Sequence, residues 1–496
     1  MSTTAADHNS VDVLIVGAGV SGIGVAYYLQ RDHPGRSYAI LEARGALGGT
    51  WDLFRYPGVR SDSDLYTFGY EFRPWQTDVA IADGDSILSY LRETAAEYGI
   101  DRHIRYHTKV VAAAWASDHA CWTVTTENTE TGELQAITCR WLVCASGYYR
   151  YDEGYTPHLE GRERFGGPIV HPQQWPADLD YEGKRVVVIG SGATAVTLIP
   201  AMAPAAAHIT MLQRTPSYVL PVPSRDKMYA RLRRLLGEER AFAVARWFYA
   251  TRQVILWRAC RRYPNAARKV IRNLNVKMLP EGYPVDEHFN PPYAPWDQRM
   301  CIVPDGDLFR SIRGGKASVV TGHIETITED GVLLKDGRAL IADIIVTATG
   351  LNVQPLGGIT LTVDGDPVQP GDLYMYKSMM LSGVPNFVFI FGYTNASWTL
   401  KIGLLGEHFT RLLRHMDAHG YGIATPIADT SMPTAPFTSS FTPGYLKRAL
   451  DRLPRQGSRP PWRMSRTYSA DVKLLRRGPV DDRELRFDRA KETVPL

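Results

Sequence analysis

Two glycine-rich segments, each between a short apolar stretch and a predicted helix, constrain the fold of this chain more than any other feature. The first is Gly17-Ala18-Gly19-Val20-Ser21-Gly22 and the second is Gly190-Ser191-Gly192-Ala193-Thr194-Ala195. Residues 12–16 and 185–189 lead into these segments and predict buried strands. Such a strand–turn–helix unit brings backbone amides and a helix N-terminus to a pyrophosphate. The sequence therefore predicts an α/β fold in which two Rossmann-like dinucleotide-binding domains are interwoven.

The residue that follows the next strand differs between the two units, and this difference predicts their ligands. Glu42 lies 20 residues beyond Gly22, where an acidic side chain binds the hydroxyl groups of a ribose. In the second unit, the strand at residues 209–212 leads instead to Arg214 and Thr215. An arginine suits a ribose 2′-phosphate. We therefore expect the second site to bind NADPH rather than NADH.

A double glycine follows the acidic residue of the first unit. The segment Gly48-Gly49-Thr50-Trp51 resembles a motif that recurs in FAD-binding members of this fold. By this resemblance, the first site is assigned to FAD. The loop at residues 55–64 comes next and mixes charged residues with Pro and Gly. We expect substrate and nicotinamide to meet near this loop.

Size and composition indicate a multidomain protein and argue against nucleic-acid-binding, secreted and membrane-spanning classes. The chain has 496 residues, which predicts two or three domains. A formal net charge of +4 does not require nucleic acid as a partner. The five cysteines show no disulfide framework, so we expect a cytoplasmic location. No His/Cys spacing resembles a zinc site. The polar N-terminus and the lack of a run of about 18–20 apolar residues predict neither a signal peptide nor a membrane span.

Residues 225–273 are predicted to be helical and carry an unusual charge. This segment holds 14 Arg/Lys against 3 Asp/Glu, so its formal charge is +11 and the remainder of the chain carries −7. One interpretation is a helical lid over the substrate cavity with a basic, solvated face. The other is a basic helix pair that contacts a membrane surface. We favour the lid, and peripheral membrane contact stays open.

The segment between the two glycine-rich loops carries a family resemblance. Residues 165–176 read Phe-Gly-Gly-Pro-Ile-Val-His-Pro-Gln-Gln-Trp-Pro, which has the form FxGxxxHxxxWP. This form resembles the fingerprint of Baeyer–Villiger monooxygenases. Residues 49–58, 60–64 and 392–399 extend the resemblance, over nearly the whole chain, to the subgroup typified by the ethionamide-activating monooxygenase.

The resemblance implies an enzyme that uses FAD, NADPH and O2. It implies insertion of one oxygen atom into a small apolar ketone, through a C4a-peroxyflavin, to give an ester or lactone. Oxidation of sulfides or thioamides by the same protein is also implied.

The resemblance also implies roles for particular residues. Arg299 is expected to stabilise the anionic peroxide and the tetrahedral adduct, because a guanidinium stays protonated. Asp62 is the expected orienting carboxylate, and His171 is expected to serve as a hinge or hydrogen-bonding residue. Many family members have Lys immediately before the arginine, whereas this chain has Gln298. The expected cofactor-binding residues are Gly17, Gly19, Val20, Ser21, Gly22, Glu42, Gly49, Thr50, Trp51, Arg60, Ser61, Asp62, Val110, Gly190, Ser191, Gly192, Ala193, Thr194, Arg214 and Thr215.

The expected domains interleave along the chain. We predict an FAD-binding domain from residues 1–148 and 352–496, an NADP-binding domain from 149–216 and 297–351, and a helical insert at 217–296.

Three alternatives remain at this point. A flavin monooxygenase that acts only on N or S atoms would share both loops and the Ala348-Thr349-Gly350 turn. A disulfide-using reductase needs a redox pair, and Cys139 with Cys144 would be the candidates. A non-catalytic FAD-bound scaffold that docks on membranes through residues 225–273 is the third.

Overall fold

The computed structural model describes residues 9–393, 396–437, 443–465 and 467–491. Thr394 and Asn395 of the 392–399 motif lie outside the described residues. The largest sheet has nine strands and contains the first glycine-rich unit. Its strands, in spatial order, are Asp366–Val368, Thr360–Val363, Thr108–Ala116, Cys121–Asn128, Leu134–Cys144, Ser10–Val16, Tyr38–Leu41 and Ile104–Arg105, with Phe387–Phe389 beside Leu134–Cys144.

The first glycine-rich unit lies at the centre of this sheet. Strand Ser10–Val16 pairs in parallel with Tyr38–Leu41 and with Leu134–Cys144, so it is covered on both edges. Helix Val20–Asp32 follows the loop, and eight of its thirteen residues are buried, including the whole run from Ser21 to Ala26. Gly17 has φ +101°, and a Cβ there would meet the carbonyl oxygen of Ala145 at 2.8 Å. The tight turn therefore requires glycine.

The second glycine-rich unit forms a separate five-stranded sheet. All of its strand pairs are parallel. Helix Ala193–Met202 follows the loop, as Val20–Asp32 does in the first unit. Two Rossmann-like cores in one α/β chain confirm the predicted fold class. The strands, in spatial order, are Ala317–Thr321, His208–Gln213, Arg185–Ile189, Ile344–Thr347 and Ile169–Val170.

The chain passes between the two sheets twice, at places that lie side by side. It leaves the first sheet after Cys144 and returns after Thr347. Strands Tyr149–Gly154 and Leu351–Val353, which follow these two points, pair with each other. This two-stranded link agrees with the expected interleaving, while the boundaries at 148, 216, 296 and 351 stay predictions.

The basic segment folds into three consecutive helices, which we call the insert helices: Lys227–Leu236, Glu238–Arg262 and Pro264–Met278. Gly237, at φ +75°, separates the first two, and Tyr263 separates the second from the third, which begins at Pro264. Arg246 anchors the middle helix, because its buried guanidinium donates to the backbone oxygens of Tyr66 and Gly69. Within the described residues, no helix is long and apolar enough to cross a membrane.

The remaining α-helices and strands complete the fold. The other helices are Thr50–Leu53, Leu65–Phe68, Gly84–Glu97, Val285–His288, Asp307–Arg313, Trp398–His419, Gly444–Lys447 and Tyr468–Asp471. The other strands are Val219–Val222, Cys301–Pro304, Ile324–Thr328, Gly331–Leu334, Ala339–Ile341, Met375–Tyr376, Met380–Leu381, Ile423–Pro426, Thr434–Ala435, Gln456–Gly457 and Leu485–Asp488.

Candidate active site

A cavity of about 1400 Å3 opens where the parallel strands of both sheets end, which is where α/β proteins bind dinucleotides. Gly22 is the one predicted site residue that does not line it. A Cβ at Gly22 would lie 2.0 Å from the carbonyl oxygen of Gly17, so this glycine lets the helix pack on the loop. The predicted residues that line the cavity are Gly17, Gly19, Val20, Ser21, Glu42, Gly49, Thr50, Trp51, Arg60, Ser61, Asp62, Val110, Gly190, Ser191, Gly192, Ala193, Thr194, Arg214, Thr215 and Arg299.

The first loop presents a helix N-terminus to the cavity. Gly19 caps helix Val20–Asp32 without a side-chain hydrogen bond, and the first helical turn holds no acidic residue. Gly49 approaches the loop so closely that a Cβ on it would lie 3.1 Å from the Gly19 Cα. Open amides beside a positive helix end fit a pyrophosphate. The double glycine therefore shapes the wall of the first dinucleotide site.

Glu42 lies at the edge of this site. Its buried carboxylate accepts hydrogen bonds from the backbone amides of Ala18, at 2.9 Å, and Arg44, at 3.0 Å. Burial raises the pKa of Glu42 above its usual range, against the opposing effect of these two amides. The two bonds fix the carboxylate beside the loop, where a ribose would present its hydroxyl groups.

The second loop has the same helix-end geometry but a different charge beside it. Gly192 caps helix Ala193–Met202 without a side-chain bond, and no atom lies within 4 Å of a Cβ built on it. Arg214 follows strand His208–Gln213, is exposed and lines the cavity. No ion pair to another described residue holds its guanidinium. The site therefore fits a dinucleotide with an added phosphate.

Arg299 and Asp62 form a two-point ion pair in the wall of the cavity. Arg299 Nε lies 2.5 Å from Asp62 Oδ2, and Arg299 Nη2 donates to Asp62 Oδ1 at 2.8 Å. Burial lowers the pKa of Arg299, but the opposing effect of the neighbouring Asp62 carboxylate dominates, and the pKa is raised overall. Both side chains remain partly exposed, at 34% and 38%. The guanidinium is thus a fixed positive charge that a bound molecule can reach.

Three tyrosines line the same cavity as this pair, and the sequence analysis did not identify them. The hydroxyls of Tyr148 and Tyr149 lie 2.6 Å apart, and burial raises the pKa of both. Tyr445 lines the same cavity. The tandem tyrosines directly follow the Ser146-Gly147 turn, which was a usable signal. Tyr445 belongs to no motif, and only the tertiary fold brings it to Arg299.

Two further predicted residues have partners or surroundings that the sequence did not indicate. The Arg60 guanidinium forms a close ion pair with Asp307, which begins helix Asp307–Arg313. Ser61 is buried and its Oγ has no hydrogen-bond partner among the described residues. Ser61 also lines the cavity, but its Oγ is itself buried.

A second cavity of about 860 Å3 meets the first at the ion pair. Asp62 and Arg299 line both cavities. The insert helices contribute Met228, Tyr249 and Leu256 to its wall, in agreement with the lid interpretation. Apolar residues from outside the insert helices also line it: Ala80, Ile81, Leu220, Val222, Pro223, Trp296, Met300, Ile302 and Ala396.

The hydrogen-bonding role expected for His171 is confirmed. Its Nε2 lies 3.0 Å from the carbonyl oxygen of Gly350, and its Nδ1 accepts from the backbone amide of Gln173 at 3.1 Å. Burial lowers the pKa of His171. The residue thus joins the 165–176 segment to the Ala348-Thr349-Gly350 turn, at the point where the chain passes between the sheets.

The cysteines do not form the redox pair that a disulfide-using reductase needs. Cys139 and Cys144 are free, fully buried thiols at positions within strand Leu134–Cys144. Burial raises the pKa of both, which disfavours the reactive thiolate.

Two dinucleotide sites that share one cavity with a fixed guanidinium define an oxidoreductase that brings two cofactors together. The flavin-binding monooxygenase-like family matches residues 74–355, and an NAD(P)-binding Rossmann-like domain matches residues 15–77. The FAD-containing monooxygenase EthA of Mycobacterium tuberculosis is 53% identical over 488 residues, which cover 98% of this chain and 99% of that protein. The chain belongs to the flavin-binding monooxygenase-like family, and the family expected from the motifs is confirmed.

Other relatives agree with this assignment. The putative FAD-containing monooxygenase MymA of Mycobacterium tuberculosis is 50% identical over 97% of this chain and 98% of its own length. Oxidized steroid monooxygenase bound to NADP has a TM-score of 0.74 and 21% identity, covering 97% of this chain and 100% of that one. Cyclohexanone-bound cyclohexanone monooxygenase has a TM-score of 0.68 and 22% identity, covering 84% and 89%. The two solved structures share the fold.

Proposed function

We propose that this protein is an FAD- and NADPH-dependent monooxygenase that inserts one oxygen atom of O2 into small apolar ketones, giving esters or lactones. The observation that carries the proposal is the position of the Arg299–Asp62 pair. It lies where the cavity with the two dinucleotide sites meets the apolar cavity under the insert helices. A fixed positive charge therefore faces the place where a cofactor and an apolar substrate would meet.

The first glycine-rich site is assigned to FAD and the second to NADPH. The curated relatives are named as FAD-containing enzymes, and one similar structure contains NADP. Reduced FAD supplies the activation of O2, with NADPH as the source of hydride. Glu42 would bind the FAD ribose, and the open amides at the N-terminus of helix Val20–Asp32 would bind the pyrophosphate. Arg214 and Thr215 would contact the 2′-phosphate that distinguishes NADPH from NADH. Gln298 is uncharged, so it cannot add a second positive charge at this phosphate.

Arg299 supplies charge to the reacting centre. When a ketone carbonyl is attacked, its oxygen gains negative charge, and a guanidinium beside it stabilises that charge. Removal of one such donor typically costs about 10²–10³-fold in rate. Asp62 accepts from two guanidinium nitrogens, which fixes the direction of the group without neutralising its outer face. Asp62 acts through Arg299 and is therefore a positioning residue.

The second cavity selects the substrate. Its wall is mainly hydrocarbon from Leu220, Val222, Leu256 and Met300. An apolar wall binds an uncharged ketone by burial and excludes water from the reaction. Sulfides and thioamides have similar polarity, so we expect them to be accepted as secondary substrates.

The domain and location assignments are part of the same proposal. Residues 1–148 and 352–496 form the FAD domain, 149–216 and 297–351 form the NADPH domain, and 217–296 form the lid. The enzyme acts in the cytoplasm, in keeping with five free cysteines.

The test supplies one methyl ketone and one aryl methyl sulfide to the FAD-loaded protein with NADPH and air. Products are identified by mass spectrometry. We expect an ester from the ketone and a smaller amount of sulfoxide. Sulfoxide without any ester, across linear, cyclic and aryl ketones, would support instead an enzyme restricted to heteroatoms.

A further inference from the structure

The insert helices carry an unusual share of the exposed apolar surface. Fourteen large apolar side chains are exposed in the described part of the chain, and eleven of them lie between residues 235 and 276. These eleven are Leu235, Leu236, Val244, Trp247, Phe248, Ile255, Leu256, Tyr263, Val270, Leu274 and Val276. A concentration of exposed apolar side chains in one segment is what an interaction site would show.

The longest insert helix, Glu238–Arg262, arranges four of these side chains on one face. Val244, Trp247, Phe248 and Ile255 follow helical spacing, since steps of three, four and seven residues return to the same side. Trp247 and Ile255 are 68% and 62% exposed. We call these four residues the outer stripe.

The same helix has already buried a different face. Its buried residues include Ala241, Phe242, Ala245 and Ala250. The guanidinium of Arg246 donates to the backbone oxygens of Tyr66 and Gly69. A surface helix normally carries polar residues opposite its buried face. The outer stripe is therefore apolar where packing of the chain does not require it.

Arginines lie at both ends of the outer stripe. Arg240 precedes Val244 by four residues, and Arg258 and Arg262 follow Ile255 by three and seven, so all three share its face. The surrounding segment carries 14 Arg/Lys against 3 Asp/Glu. Arg240 and Arg258 are exposed and form no ion pair with another described residue. The face combines an apolar centre with positive ends.

We infer that the outer stripe docks on the surface of an anionic lipid bilayer. Trp, Phe and aliphatic side chains flanked by arginines are what an interfacial helix uses to enter the headgroup region. Pairing of two copies of the stripe would bring arginines against arginines, which is unfavourable. Nucleic acid would leave the apolar centre without a matching surface. Anionic lipid satisfies both the apolar and the basic residues.

Docking would place the bilayer beside the second cavity. Leu256 is next to Ile255, is 40% exposed and also lines that cavity. An apolar substrate dissolved in the bilayer could then reach Arg299 through the insert helices with little exposure to water. This route rests on the proposed function, whereas the docking itself does not.

The experiment measures flotation of the FAD-loaded protein with vesicles. One set consists of phosphatidylcholine, and the other has about one third of it replaced with phosphatidylglycerol. We expect binding to the anionic vesicles that weakens at high salt, because each arginine near such a surface contributes about 1 kcal/mol. The variant W247S/I255S removes apolar contact, and R240E/R258E reverses charge. We expect each to lower the bound fraction about tenfold or more.

Two matched controls carry the same changes elsewhere. I341S/I427S removes exposed apolar side chains outside the insert helices, and R313E/K316E reverses exposed charges. Both should bind as the unaltered protein does, and the flavin absorbance of every variant reports folding. Absence of flotation, or equal loss in variants and controls, would overturn the proposal. A change of oligomeric state in W247S/I255S without loss of vesicle binding would also overturn it, because the outer stripe would then be a contact between copies of the chain. None of these results depends on catalysis. A failure of vesicle binding is therefore distinguishable from a failure of the protein to form an ester.

Discussion

The guanidinium of Arg299 contacts both carboxylate oxygens of Asp62, at 2.5 Å and 2.8 Å, although the two residues are 237 positions apart in the sequence. Asp62 lies in the loop at residues 55–64, which follows the first glycine-rich unit along the chain. Arg299 lies much later, just before strand Cys301–Pro304. The pair therefore depends on the fold as a whole. Its position at the junction of two cavities links cofactor and substrate in the proposed reaction.

The change Asp62→Asn should lower the rate of ester formation about 10²-fold, because the guanidinium loses its charged partner and its fixed direction. The KM for NADPH and the FAD content should stay nearly unchanged, since Asp62 acts through Arg299. Asp62→Glu keeps the carboxylate and should recover part of the rate. Steady-state kinetics with FAD-loaded protein separates kcat from KM, and a loss confined to KM would contradict the positioning role.

The change Arg214→Ala should raise the KM for NADPH by about 10–100-fold, because a charge-assisted bond to phosphate contributes about 1.5–3 kcal/mol. The KM for NADH should not change. The exposed Arg185, which pairs with Asp343 on the second sheet, provides the matched control Arg185→Ala. Equal loss with both coenzymes would show that Arg214 supports the fold and does not read the 2′-phosphate.

The change Glu42→Ala should weaken FAD binding about tenfold or more, since it removes the acceptor for the ribose and leaves the amide of Ala18 without its partner. Dialysis followed by flavin fluorescence measures the retained cofactor. Glu133→Ala, at an exposed position, is the control. Full retention of FAD by Glu42→Ala would place the ribose elsewhere.

Stability should fall in acid because of a buried histidine that lines neither cavity. Burial, together with the charge of Lys377, lowers the pKa of His408 to about 3. The unfolded chain binds a proton near pH 6.5 that the folded chain does not, so stability is lost as pH falls from about 6.5 towards 3, by up to about 1.4 kcal/mol per unit.

Thermal midpoints at about pH 7 and about pH 5 test this effect, which amounts to roughly 2 kcal/mol over that range. His408→Gln removes the titrating group and should reduce the difference between the two midpoints. His119→Gln, at an exposed position, should leave the difference as it is. An undiminished difference in His408→Gln would assign the acid sensitivity to other groups.

The parts of the fold that were predictable from sequence are those that local physics determines. Gly17 and Gly190 both have positive φ, so a tight turn into a helix requires glycine there, and the strands before them are short and apolar. Glu42 and Arg214 follow from fixed distances along such a unit. These features depend only on residues within one strand–turn–helix–strand unit and not on distant parts of the chain.

The parts that were not predictable depend on tertiary contacts. Tyr445 reaches Arg299 from a short helix near the C-terminus, and Asp307 reaches Arg60 across 247 positions, without any local pattern. The second cavity arises between the insert helices and the Arg299 loop. The insert helices themselves were predicted, but their outer stripe becomes visible only when the buried face of the helix is known.

The ratio of ester formed to NADPH consumed in Arg299→Ala shows whether the guanidinium takes part in the reaction. We expect the unaltered protein and the control Arg185→Ala to convert NADPH into ester with similar efficiency. Arg299→Ala should continue to oxidise NADPH while ester falls by about 10²–10³-fold, because the charge at the reacting carbonyl is lost. Ester formation by Arg299→Ala at the unaltered ratio would instead show that the guanidinium has no part in the reaction.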